Sequence, residues 1–257
     1  MRSLISILVI TFMMMLTISA CAKKDSKIMT IGHRGAKGHV AENTIASIQK
    51  AMDLNVDAIE IDIFKCATGE LVVFHDQTLD KLTDGKGFIE QMSLDSIKQF
   101  LVLGKEPIPT LKEVMDLIDG RVQLNIELKG TQTAELTSKT INTYFEKANW
   151  DPKDVFVSSF EWDELELFYK INKEVPIAVL TEDDPLDAIP VAKRLDAFAI
   201  NPDYENLNPQ NIIKIHKAGL KIYPWTVNEP KDIARMIEFG VDGIITDFPE
   251  RVQEKIK

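Results

Sequence analysis

From about Lys27 onward the chain alternates short apolar, β-branched runs with longer stretches whose apolar residues recur at helical spacing. The runs predict strands at Ile28–Ile31, Ala58–Phe64, Val122–Leu128, Val155–Ser159, Ile177–Leu180, Ala197–Ile200, Lys221–Thr226 and Gly243–Thr246. Helical patterning falls between them, near 43–54, 110–118, 133–148, 161–172, 185–194, 208–218 and 229–239. Asn208-Pro209 and Asn228-Glu229-Pro230 place a cap residue near a first-turn proline, while Gly219 and Gly240 stand where helix-ending glycines belong. Such alternation argues for a parallel α/β fold. Eight strand–helix units in about 230 residues close into a (β/α)8 TIM barrel better than they fill an open sheet. One stretch departs from the pattern. Leu71–His75 reads as an extra strand returning after a Thr68-Gly69 turn. Residues 77–109, with Gly85, Gly87, Gly104, Pro107, Pro109 and one short helix near 93–101, read as a small insertion after strand two.

Composition narrows the class. The 257 residues are 45% hydrophobic and 27% charged, an ordinary globular mix that excludes disordered and low-complexity readings. Thirty Lys+Arg against 40 Asp+Glu give a net charge of -10, which argues against a nucleic-acid partner. Two cysteines, Cys21 and Cys66, are too few for a disulfide-stapled scaffold.

The amino terminus has a different pattern. Arg2 precedes an apolar run from Leu4 to Ala20, the arrangement of a signal peptide, and Ile18-Ser19-Ala20-Cys21 resembles a bacterial lipobox. Residues 1–20 are expected to be a lipoprotein signal peptide, Cys21 the lipidated residue and 21–27 a polar tether. An uncleaved anchor helix is the other reading, and both place the body outside the cytoplasm, held at a membrane. Cys66 then reads as a structural thiol. The barrel is expected to fill 28–257 as one domain.

Buried parallel strands should be nearly all apolar. Strand two is not: Glu60 and Asp62 interleave with Ile59, Ile61 and Ile63, so the two carboxylates share one face and the isoleucines the other. Strand three repeats the device, with Asn125, Glu127 and Lys129 on one face. Carboxylates massed on a strand face need compensation, which a cation supplies most simply. Three carboxylates without a nearby Cys or His favour a hard ion, one Mg²⁺ or Ca²⁺, over zinc. His33 and Arg34 follow strand one and His75 ends the extra strand, on the carboxylate side of the barrel. Arg34 and Lys129 bring the fixed positive charge that phosphate oxygens require. Trp225, at the end of strand seven, either walls the cleft or packs in the barrel.

These motifs resemble the glycerophosphodiester phosphodiesterase family over about Met29 to Glu250. They are Gly32-His33-Arg34-Gly35, Glu42-Asn43-Thr44, Glu60-Ile61-Asp62, Val73-Phe74-His75-Asp76, Glu127-Leu128-Lys129, Trp225-Thr226-Val227-Asn228 and Gly243-Ile244-Ile245-Thr246-Asp247. The resemblance implies a barrel hydrolase that cleaves glycerophosphodiesters to glycerol 3-phosphate and an alcohol. It further implies that Glu60, Asp62 and Glu127 hold the divalent cation, that His33 and His75 are the acid–base pair, and that Arg34 and Lys129 hold phosphate. Ala41, where the family usually has proline, and the Cys66-Ala67-Thr68 turn depart from the pattern without touching that chemistry. Two other readings compete. One is a related barrel phospholipase acting on lysophospholipid or sphingomyelin; the other is a non-catalytic lipoprotein that binds a phosphorylated ligand. No protein partner is expected.

Overall fold

The structure is a computed structural model that describes residues 28–146 and 149–257. The expected signal peptide, Cys21 and the whole tether lie outside the described residues.

In chain order the strands are β1 (Met29–Gly32), β2 (Ala58–Lys65), β3 (Leu71–Val73), β4 (Leu101–Val102), β5 (Glu106–Pro107), β6 (Gln123–Leu128), β7 (Val155–Ser159), β8 (Ile177–Thr181), β9 (Ala199–Pro202), β10 (Lys221–Ile222) and β11 (Gly243–Thr246). The helices are α1 (Ile45–Asp53), α2 (Leu94–Ile97), α3 (Leu111–Ile118), α4 (Thr133–Phe145), α5 (Trp162–Ile171), α6 (Ala188–Arg194), α7 (Pro209–Lys217), α8 (Pro230–Phe239) and α9 (Pro249–Ile256). Eight strands run parallel in the order β10-β9-β8-β7-β6-β2-β1-β11. Between the two ends of that order, Asp242 N donates to Ile222 O at 3.0 Å and Ile245 N to Pro224 O at 2.9 Å. The expected (β/α)8 barrel is therefore the fold.

Strand alternation sorts the core into two layers. Ile59, Ile61 and Ile63 face outward into the large cluster beneath the helices. Ala58 points inward, with Ile31, Phe156, Ala178, Ala199, Tyr223 and Ile245, and fills the barrel floor. Helix α3 shows how sequence fixes an element. Leu111, Val114, Met115 and Ile118 bury one stripe, and Thr110 and Glu113 form a capping box at its start. Such a cap contributes about 1 kcal/mol.

The insertion packs Leu79, Ile89, Ile97, Val102 and Ile108 against Phe64, Cys66, Val72 and Phe74 on and beside β2 and β3, forming a small second core. Cys66 is buried there as expected, its Sγ 3.3 Å from Glu70 Oε2. The insertion also contains the β4–β5 hairpin, which the apolar pattern does not reveal because each strand has two residues. Several boundaries differ from expectation: the short helix near 93–101 ends at Ile97, α6 begins at Ala188 rather than near 185, and β9 runs Ala199–Pro202 rather than Ala197–Ile200. The extra strand stops at Val73, with Phe74 N still donating in register to Asp62 O, and β10 stops at Ile222, ahead of Pro224, which has no N–H to donate. Helix α9 is unforeseen because its buried surface is only Pro249 and Val252, too thin an apolar signal.

Candidate active site

Pairing of β2 with β6 sets Glu60 beside Asn125 and Asp62 beside Glu127, all four pointing into the mouth of the barrel. One oxygen from each of Glu60, Asp62 and Glu127 lies within 4.8 Å of the others, and all three residues are buried. That separation is about twice an oxygen–Ca²⁺ distance, so one hard cation can touch all three.

The surrounding charges leave the cluster incompletely balanced. Arg34 is shared: its Nη1 pairs with Glu42 and its Nε lies 3.2 Å from Asp62 Oδ2. Lys129 Nζ lies 2.8 Å from Glu127 Oε1 and 3.9 Å from Asp62 Oδ1. Glu60 receives only the backbone N–H of Arg34, at 2.8 Å, and its buried Oε1 has no hydrogen-bond partner among the described residues. An orphaned buried carboxylate oxygen costs several kcal/mol unless something compensates it. Its position in the acidic triad fits a cation ligand.

The ionisation pattern follows from these contacts. Burial works against the charge on Asp62, but Arg34, His75 and Lys129 together hold its carboxyl below the usual range. Burial, then the negative charges of Asp62 and Glu127, push Glu60 well up. Burial and Asp62 push Glu127 to about 7 despite Lys129.

The loop after β1 is folded to present its two functional side chains. Arg34 takes a left-handed backbone (φ 51), Gly35 follows at φ 87, and Asn43 at φ 57 closes the loop by donating its N–H to Arg34 O. A Cβ on Gly35 would sit 2.4 Å from Ser47 Oγ and 2.6 Å from the Ser47 backbone, so only glycine fits. Asn43 also donates from Nδ2 to Asp62 Oδ2 at 2.8 Å, fixing one metal-facing carboxylate.

Both histidines are oriented by carboxylates. His33 Nδ1 lies 2.6 Å from Asp247 Oδ1, and its Nε2 faces Glu60 Oε2 at 4.0 Å. Asp247 in turn accepts from Asn228 Nδ2 at 2.8 Å. His75 Nδ1 lies 2.6 Å from Asp76 Oδ1, leaving Nε2 3.4 Å from Lys129 Nζ. Burial lowers the pKa of both rings, so both are neutral near pH 7, with a lone pair free for proton transfer. For both rings the bonded Asp works in the opposite direction.

A cleft of about 240 Å³ joins these groups. It brings together His33, Arg34, Glu60, His75, Glu127, Lys129 and Trp225, with Asp62 just beneath. Trp225 does both things weighed from the sequence: its ring lines the cleft while Nε1 donates to Asn201 O inside the barrel. His39 and His216 lie elsewhere, paired with Glu250 and Asp242. Sequence reasoning missed Asp247 and Asp76 as partners of the histidines, Glu42 as partner of Arg34, and Phe160 and Glu182 in the cleft wall. Asp76 stands beside its histidine in the sequence; Asp247 and Glu182 could only have been found from their place at strand ends.

Comparison with known proteins agrees with this geometry. The profile of the glycerophosphoryl diester phosphodiesterase family matches residues 33–251. A glycerophosphodiester phosphodiesterase from Caldanaerobacter subterraneus is 38% identical over 237 residues, covering 87% of this chain and 96% of its own. A putative glycerophosphodiester phosphodiesterase of Bacillus subtilis is 33% identical, with 86% of this chain and 94% of its own covered. Among solved structures, an Oleispira antarctica phosphodiesterase in complex with the product sn-glycerol-3-phosphate superposes with a TM-score of 0.81 at 28% identity, covering 89% of this chain and 96% of that one. The chain belongs to the glycerophosphoryl diester phosphodiesterase family of enzymes.

Proposed function

We propose that the protein is a divalent-cation-dependent phosphodiesterase that hydrolyses glycerophosphodiesters to glycerol 3-phosphate and an alcohol. The observation that carries this reading is the buried triad of Glu60, Asp62 and Glu127, flanked by two carboxylate-oriented histidines and by Arg34 and Lys129 in one cleft. The names of the relatives and the product bound in the Oleispira enzyme support the substrate class.

Glu60, Asp62 and Glu127 would hold one Mg²⁺ or Ca²⁺, which supplies Lewis-acid neutralisation of charge on the phosphoryl oxygens. Arg34 and Lys129 bind the anionic diester and stabilise charge that grows as the bond to phosphorus forms. One of the pair His33 and His75 removes the proton from the substrate's own glycerol hydroxyl as that oxygen attacks phosphorus. The other gives a proton to the departing alkoxide, so the ester bond breaks as the new one forms. Water then opens the cyclic phosphodiester, with the two rings exchanging roles. Asp247 and Asp76 keep each ring's Nδ1 engaged and its Nε2 turned toward the cleft.

We infer the cellular setting from sequence alone. Residues 1–20 act as the export signal, Cys21 carries the lipid, and the barrel from residue 28 works outside the cytoplasm at a membrane. A product assay tests the catalytic reading. Glycerol phosphate released from deacylated diesters, with lysophospholipid and sphingomyelin turned over far more slowly, supports it. Preferential turnover of either lipid would favour a phospholipase, and tight binding without release a non-catalytic receptor.

A further inference from the structure

The cleft has two unlike walls. One carries the carboxylates, the histidines, Arg34 and Lys129, with Asn125 and Ser158 hydrogen-bonded to each other at 2.9 Å on the floor. The other is formed by Phe160, Leu180, Glu182, Trp225 and Thr226. There the Phe160 and Trp225 rings meet edge to face, their centroids 5.3 Å apart at 86°. The single donor of Trp225 is spent on Asn201 O, so the cleft meets ring carbon rather than N–H. Apart from the Thr226 hydroxyl, the polar group on this wall is the Glu182 carboxylate.

Glu182 extends β8 inward by the same alternation that places Ala178 and Leu180 inside the barrel. Its backbone carbonyl is anchored by Asn206 Nδ2 at 2.6 Å, yet its carboxylate has neither hydrogen bond nor ion pair among the described residues. The residue is exposed, so its charge costs little while the cleft is unfilled.

We propose that this second wall is a subsite for the leaving alcohol, selective for alcohols bearing a positive charge, above all a quaternary ammonium such as choline. The inference rests on the phosphodiesterase reading above. Glycerol hydroxyls both donate and accept hydrogen bonds, which suits the carboxylate, Asn125 and Ser158 side of the cleft. A quaternary ammonium does neither. It gains from aromatic faces and from an unpaired carboxylate, the two features the second wall supplies. Lys129, 5.6 Å from the Phe160 centroid, marks the border where the phosphate would sit between the two halves.

The test compares kcat/KM for glycerophosphocholine and glycerophosphoglycerol, diesters that differ in the charge of the leaving alcohol. Wild type and Glu182→Gln are measured with divalent cation at low and high salt. Removing the carboxylate is expected to lower the choline-to-glycerol ratio about fivefold, the scale of one partly screened charge pair. Raising the salt concentration should lower the wild-type ratio in the same direction and move that of Glu182→Gln less. A ratio unchanged by the substitution, with both diesters still hydrolysed, overturns the subsite. Failure of wild type to hydrolyse either diester instead overturns the phosphodiesterase reading beneath it.

Discussion

Glu127→Gln, examined with chelator present, separates the cost of the acidic cluster from the rest of the fold. The Glu127 carboxyl titrates at about 7 in the folded protein against 4.5 for the ordinary group, because burial and Asp62 oppose its charge. A carboxyl raised by folding binds its proton more tightly in the native state. It therefore favours the fold fully below pH 4.5, and that contribution is lost as pH rises through 7. Between pH 5.5 and 8.5 the linkage amounts to about 2 kcal/mol, since one unit of displacement is about 1.4 kcal/mol. Glutamine keeps the shape and abolishes the titration. Urea melts of both proteins in EDTA should show the variant gaining about 2 kcal/mol on wild type from pH 5.5 to 8.5, or about 4–8 °C in Tm. Parallel pH profiles would refute the claim that Glu127 is held partly protonated by its neighbours.

Three further outcomes follow from the same geometry. His75→Ala should lower kcat by about 10²- to 10⁴-fold on glycerophosphocholine with little change in melting, because His75 is only partly buried and its contribution is proton transfer; near-wild-type turnover would contradict its role. Affinity for Mg²⁺ or Ca²⁺, measured by calorimetry, should weaken at least about tenfold per pH unit below about 7, where protons compete for Glu127 and for Glu60, whose carboxyl is likewise pushed up; a flat profile would remove both from the ligand set. Gly35→Ala should cost about 3 kcal/mol or prevent folding, because its Cβ would overlap Ser47 and φ is 87°; a melting temperature within a degree or two of wild type would show that the loop can yield.

The parts of the fold legible in the sequence were those whose pattern has a single physical cause. Glu60 and Asp62 among isoleucines require one polar and one apolar strand face, and the barrel supplies both. The same alternation located Glu127 and Lys129; β2–β6 pairing sets Glu127 beside Asp62, and Lys129 Nζ reaches both of those carboxylates. Contacts that depend on closure stayed hidden. His33 and Asp247 lie 214 positions apart and meet because β1 pairs with β11. Glu182 carries no local signal, because an acid after a strand is ordinary until the barrel turns it toward aromatic rings. Helix α9 and the β4–β5 hairpin are invisible for simpler reasons: α9 buries only Pro249 and Val252, and each hairpin strand has two residues.

The central claim, that this cleft is a cation-dependent phosphodiesterase centre, is tested most directly by following glycerophosphocholine with ³¹P NMR before and after EDTA. The account predicts conversion to glycerol 3-phosphate, its arrest by the chelator, and its return when Mg²⁺ or Ca²⁺ is added in excess. Conversion that continues undiminished in EDTA, or an unchanged substrate signal with cation present, would contradict it.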